Sequence, residues 1–362
     1  MESVKTQLKT KVVGYGNNHS FTWLGPMEVE RSEPKADELA IDVLYCGVCH
    51  SDLHQANNDW SNTIYPCVPG HEIVGRVTAK GPEVTKFEIG DNVGVGCMVD
   101  SCGVCANCRD GLEQYCEGPK GATLTYNGPM KPDGTNTFGG YTESIVVKER
   151  FVLRIPSNLD LKAVAPILCA GVTTFSPMKN WNVQSGQTVG VIGFGGLGHM
   201  ATKLAKSMGA NVTVFSTTEE KEADALKCGA EKFVVVDTDT LAELELKFDF
   251  LINTIPYPHD INPFVKLLKR GGTLTVVGLL SPFSEPTNNQ EVAFHRRSIA
   301  GSLIGGIAET QEVLDYCGEH NITPDIEIIK MEDINDALKN VKDGKARYRY
   351  VIDILNTMPK EV

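Results

Sequence analysis

The stretch TVGVIGFGGLG, residues 188–198, decides how this chain is read. Thr188 to Ile192 is an apolar, β-branched run that predicts a buried strand. Gly193-Phe194-Gly195-Gly196-Leu197-Gly198 follows at once and has the form G-x-G-x-x-G. Gly196 to Met208 then carries Leu197, Met200, Leu204 and Met208 near helical spacing. A strand that turns through glycines into a helix reads as a dinucleotide-phosphate cradle, the alternative being a glycine-rich turn with no ligand. The glycines allow a tight turn and close backbone approach, and the helix N-terminus offers free N–H groups to an anion.

Outward from this unit the same alternation continues. Strands are predicted at Asn211 to Phe215, Phe233 to Val236, Phe248 to Ile255 and Thr273 to Gly278, with a helix over Glu219 to Lys227. A last helix is expected at Thr310 to Tyr316, before the terminal stretch RYRYVIDI, Arg347 to Ile354. Alternating strands and helices call for a parallel sheet covered on both faces. The first half differs in texture. Leu39 to Tyr45, Glu72 to Thr78 and Asn92 to Val95 are short β-like runs broken by Gly and Pro, which suggests a small, irregular β domain. Gly118 to Gly140, rich in both breakers, reads as a long loop.

The chain has 362 residues and a net charge of −12, from 34 basic and 46 acidic side chains. An acidic surface argues against nucleic acid and anionic membranes as partners. The segment Met1 to Lys11 has no apolar run of the secretory type, and no stretch reaches the length of a membrane span. Eleven cysteines without an export signal fit a reducing, cytoplasmic compartment in which thiols bind metal or stay free.

Four of them, Cys102, Cys105, Cys108 and Cys116, have the spacing C-x2-C-x2-C-x7-C. Such thiolates satisfy one tetrahedral Zn2+ at about 2.3 Å per bond, in a closed structural site. The rival iron–sulfur pattern is closed by a shorter gap and a proline, whereas Glu117 follows Cys116. At the end of the second strand, Ser216-Thr217-Thr218, with Lys221 beyond, stands where an NAD site places an acidic residue. Hydroxyls and a cation suit the 2′-phosphate of NADP(H), with Glu219 and Glu220 as a complication; the three hydroxyls could otherwise simply cap the next helix. Cys49, His71 and Cys169 are too scattered for spacing to group them.

Taken together, GVCHSDLH, PGHEIVG, the cysteine run, LCAGVT and GFGGLG resemble the zinc-type medium-chain alcohol dehydrogenases. Within them the chain is similar to the cinnamyl alcohol dehydrogenase branch and its bacterial NADPH-dependent aldehyde reductases. The resemblance runs from about Val43 to Ile354, including GSLIGG at Gly301 to Gly306. It implies a GroES-like β catalytic domain, residues 1–168 and 306–362, with the structural zinc lobe at about 97–118. It also implies a Rossmann doubly wound parallel-sheet domain inserted at 169–305, and an active site in the cleft.

By the same resemblance Cys49, His71 and Cys169 are ligands of a catalytic zinc, the second of two per chain. Glu72 is its carboxylate neighbour, Asp52 orients His71, and Ser51 and His54 relay a proton. Thr173, Gly193, Gly195, Gly196, Leu197, Gly198, Ser216, Thr217, Thr218, Lys221, Thr254, Gly278, Ser302 and Arg349 fall on cofactor positions, Arg349 at the pyrophosphate. The implied reaction is hydride transfer between NADP(H) and aldehydes or primary alcohols, by a homodimer joined near Gly301 to Gly306. The pocket departs from the plant lignin enzymes at Gly121 to Tyr126, Leu303 and Trp60, which points to a broad range of aldehydes. Cys46, Cys67, Cys97, Cys228 and Cys317 read as buried small hydrophobes. An NAD-linked polyol dehydrogenase of the same superfamily and a noncatalytic zinc or thiol sensor are the competing readings.

The ratio of kcat/KM for NADPH over NADH is expected to exceed unity clearly. A preference for NADH would overturn the reading of Ser216, Thr217 and Lys221.

Overall fold

The computed structural model describes residues 9–128, 136–237, 241, 244, 247–278 and 280–362. The chain divides into two units, Met1–Cys169 with Gly306–Val362, and Ala170–Gly305.

The first unit is built on a seven-stranded sheet. Its path runs Ile326–Ile329, Arg349–Asp353, Glu38–Gly47, Ile73–Lys80, Asn92–Val95, Val152–Arg154, and Ser144–Lys148 also pairs with Glu38–Gly47. The central pair is antiparallel, and its register sets Cys46 opposite Ile73. Leu39, Ile41, Ile73 and Leu153 from these strands are fully buried, as alternation on a sheet that faces a core requires. A hairpin of Lys9–Gly16 and Gly25–Ser32 adds to the unit. So does a small lobe in which Met98–Asp100 pairs with Thr123–Leu124. The expected loop at Gly118 to Gly140 therefore contains a short strand, and its middle, 129–135, lies outside the described residues.

The second unit is a six-stranded parallel sheet in the order Lys232–Val235, Asn211–Ser216, Thr188–Ile192, Phe248–Asn253, Leu268–Val276, Ser298–Gly301. This is the doubly wound arrangement, with strand order reversing beside Thr188–Ile192. Phe215, Phe248 and Phe264 fill one side of it through edge-on ring contacts at 5.5 Å. The helix Gly196–Ser207 begins at Gly195, where the motif predicts it. The expected helix at Glu219 to Lys227 starts instead as a 3-10 turn over Glu219–Lys221 and becomes α-helical at Glu222–Lys227. Thr218 precedes that turn but makes no side-chain cap, so the hydroxyls there are not spent on capping it. Among the described residues no single helix is long and apolar enough to cross a membrane.

Two glycines fix the phosphate turn. Gly193 has φ +90°, and a Cβ on Gly198 would collide with the Gly193 carbonyl. Gly198→Ala is therefore expected to push helix from strand and weaken NADPH binding by about tenfold or more, with metal content unchanged. Fluorescence titration of NADPH beside metal analysis checks this.

Candidate active site and metal centres

The strand register assembles the first site. Gly47 N–H donates to the Glu72 carbonyl at 2.9 Å, extending the Cys46–Ile73 pairing. Cys49 leaves one strand where His71 enters the next. Cys49 is the N-cap of the helix His50–Asn57, and Cys169 ends the 3-10 turn Ala165–Leu168. The result is a buried group, Cys49, His71, Glu72 and Cys169, whose ligand atoms all lie within 4.8 Å of one another. The two sulfurs are 4.0 Å apart, and His71 Nε2 is 3.3 Å from Cys169 Sγ. Ligands on one tetrahedral zinc would be separated by about 3.5–3.8 Å, so the donor set fits that ion.

Asp52 organises this group. It is fully buried, and its two oxygens accept four bonds. Oδ2 takes Cys49 N–H at 2.8 Å and Tyr141 O–H at 3.1 Å. Oδ1 takes Gly70 N–H at 2.9 Å and lies 3.1 Å from His71 Nδ1. The last contact places the proton on Nδ1 and leaves the Nε2 lone pair facing the cysteines. Gly70 has φ +100°, a backbone state that a side chain resists.

The electrostatics are those of ligands competing for protons. The bond from Cys169 holds the Cys49 thiol well below its ordinary pKa, and the same coupling drives Cys169 upward. Burial opposes charge on His71, yet Asp52 holds its pKa above the usual value. A divalent cation displaces such shared protons and neutralises the two sulfurs together. Burial raises Glu72 to about 7 against the pull of Arg349, its ion-pair partner. Arg349 belongs to the first unit and is itself nearly enclosed. Glu72 Oε2 is buried without a hydrogen-bond partner.

Ser51 and His54 stand on the same helix. Ser51 Oγ is 3.7 Å from Cys49 Sγ. One turn on, His54 Nδ1 bonds Asp59 Oδ2 at 2.7 Å, and its ring lies 5.4 Å from that of Trp60. Sequence reasoning missed Asp59, which lies beyond the helix and is brought back by the left-handed turn at Asn58. The His50 ring stacks on His54 at 5.0 Å, and burial with that neighbour lowers its pKa to about 4. The Tyr126 ring packs 5.4 Å from His71.

Cys102, Cys105, Cys108 and Cys116 converge as a second group. Cys102 Sγ accepts N–H bonds from Val104 and Cys105, which lower its pKa to about 6. Cys105 Sγ accepts from Cys108 N–H, and Cys116 Sγ from Cys102 and Gly118 N–H. Backbone amides aimed at sulfur favour the thiolate that a metal requires. Of the remaining cysteines, Cys46, Cys67, Cys228 and Cys317 are buried as expected. Cys97 differs: it is half-buried, and its Sγ donates to the Leu168 carbonyl at 3.9 Å, next to Cys169 in the chain.

The nucleotide positions other than Arg349 lie in the second unit. Thr254 Oγ1 donates to the carbonyls of Ile192 and Gly193 at 2.9 and 3.1 Å. Gly278 lies against the Thr254 backbone, where a Cβ would meet its carbonyl at 2.5 Å. Lys221 Nζ donates to the Phe194 carbonyl at 3.1 Å, over the glycine turn. Ser216 ends its strand buried, Thr217 and Thr218 are exposed beside it, and Glu219 and Glu220 also face solvent. Ser302 N–H pairs with the Val276 carbonyl, and Thr173 Oγ1 is buried without a hydrogen-bond partner.

Residues 35–157 match the alcohol dehydrogenase GroES-like domain, and residues 196–319 match the zinc-binding dehydrogenase domain. An aldehyde reductase of Escherichia coli, YahK, is 50% identical over 91% of this chain and 94% of its own length. A cinnamyl alcohol dehydrogenase from Sorghum bicolor superposes with a TM-score of 0.92 at 40% identity, over 98% of this chain and all of its own. The CAD of Helicobacter pylori, solved with NADP(H), gives 0.90 at 41% identity, over 97% of this chain and 100% of that one.

Replacing Asp52 by Asn leaves an amide N–H2 facing groups that donate. Asp52→Asn is expected to weaken metal binding at Cys49, His71 and Cys169 by about 10- to 100-fold. Metal analysis after dialysis then falls from two ions per chain toward one, with the four-cysteine lobe still loaded.

Proposed function

From the premise that this chain belongs to the zinc-binding alcohol dehydrogenases, we propose that it reduces aldehydes to primary alcohols with NADPH, and runs the reverse with NADP+. Cys49, His71 and Cys169 would hold a catalytic zinc, and Cys102, Cys105, Cys108 and Cys116 a structural one. When bound, the first zinc supplies an electrophile for the carbonyl oxygen, and the nicotinamide supplies the hydride.

The chain supplies position and protons. Ser51 Oγ, beside Cys49, is placed to donate a hydrogen bond to the substrate oxygen and to give it a proton as it gains charge. His54 replenishes that proton. Asp59 Oδ2 accepts a hydrogen bond from His54 Nδ1–H, which leaves Nε2 as the exchanging nitrogen. Burial and the neighbouring His54 lower the pKa of His50 to about 4, which disfavours a charged ring there. Ser216, Thr217, Thr218 and Lys221 would hold the 2′-phosphate, with the Lys221 ammonium already drawn over the glycine turn by the Phe194 carbonyl. The rings of Trp60 and Tyr126, packed on His54 and His71, offer apolar walls suited to aliphatic and aromatic aldehydes.

The observation that carries the reading is the convergence of two sulfurs and one correctly oriented imidazole beside a hydroxyl. The edge position of the strand Ser298–Gly301 in its sheet supports assembly of a homodimer there. That none of the eleven cysteines is in a disulfide, while six of them converge as metal ligands, supports a cytoplasmic setting.

Ser51→Ala, with zinc content measured alongside, is expected to lower kcat for aldehyde reduction by about 100-fold. A wild-type rate at full zinc occupancy sinks the relay assignment.

A further inference from the structure

Gly47 closes the strand Glu38–Gly47, directly beside the catalytic group. The Glu72 side chain folds onto its Cα. A Cβ at position 47 would overlap Glu72 Oε2 and lie 2.9 Å from Glu72 Cδ and 3.0 Å from its Cβ. Gly47 is not among the glycines with positive φ, so its backbone accepts any residue. The glycine is therefore required by the neighbouring carboxylate and not by the turn of the chain.

That carboxylate has two places to rest. Oε1 is ion-paired with Arg349, while Oε2 is fully buried and has no hydrogen-bond partner. A Glu72 oxygen also lies within 4.8 Å of the ligand atoms of Cys49, His71 and Cys169. Side-chain rotation alone would carry it into the set. A fourth protein ligand closes a tetrahedral site and removes the position a substrate oxygen needs.

We propose that Gly47 is a positioning residue: the space above its Cα is a parking place that keeps the Glu72 carboxylate off the metal. This rests on the reading of Cys49, His71 and Cys169 as the catalytic metal site. A methyl group at position 47 evicts the carboxylate, and the open fourth position is the nearest place that satisfies its bare oxygen. The hard overlap falls on the carboxylate end of Glu72, and the contact with its Cβ at 3.0 Å asks the neighbour to give slightly.

The test uses holoenzyme with cobalt in the catalytic site and imidazole as a probe of the fourth position, followed by the visible spectrum. Gly47→Ala is expected to bind imidazole about tenfold more weakly or worse, with kcat falling in parallel. In Gly47→Ala/Glu72→Ala, imidazole affinity returns to within about threefold of Glu72→Ala alone, because the competing ligand is gone. Wild-type imidazole affinity in fully loaded Gly47→Ala overturns the proposal. So does a double variant that stays weak, since the methyl group then acts through something other than Glu72. A wild-type cobalt spectrum that ignores imidazole overturns the metal reading, and the proposal falls with it.

Discussion

The buried carboxylate of Asp52 is the constraint on which the catalytic site depends. One side chain accepts from the Cys49 amide, the Gly70 amide, the His71 ring and the Tyr141 hydroxyl. These four donors come from three separate stretches of chain. A buried anion with all its lone pairs occupied tolerates little displacement, because any lost bond leaves charge uncompensated in a low dielectric. Asp52 therefore fixes the helix start that carries Cys49, the turn that delivers His71, and the tautomer of that ring. Ser51 and His54 inherit their positions from the same helix.

The two metal groups solve the ligand problem differently. In the lobe, the sulfurs are neighbours in sequence, and each knuckle of backbone turns its own amides toward them. In the catalytic group the ligands are far apart in sequence, and sheet register brings them together. The lobe is complete with four thiols and has nothing left to offer a substrate. The catalytic group has three firm ligands and one carboxylate held to the side, which is the arrangement that permits exchange at the ion.

That contrast explains what could be read from the residues alone. The cysteine run is legible because its spacing is the geometry. The parallel sheet is legible because strands such as Thr188–Ile192 and Asn211–Ser216 are short buried runs followed by a turn and a helix. Cys49, His71 and Cys169 are not legible by spacing, because their meeting depends on Cys46 facing Ile73, a long-range pairing with no local mark. The family resemblance supplied that grouping. Asp59 escaped notice because only the left-handed turn at Asn58 returns it to His54. Cys97 was expected deep in the core but stands half-exposed beside Cys169, since an apolar flank does not report which way a side chain points. Gly47 carries no local mark in the sequence; its meaning lies in the Glu72 carboxylate, just ahead of the strand Ile73–Lys80.

The split of the first unit between both ends of the chain has a consequence for biosynthesis. Cys49, His71 and Cys169 are all translated before any of the second unit. The strand Arg349–Asp353, which pairs with Glu38–Gly47, arrives only after it. During synthesis, then, the growing chain holds a finished set of metal ligands while Glu72 still lacks its guanidinium. Arg349, the ion-pair partner that holds this carboxylate in the finished fold, is made only after the whole of the second unit.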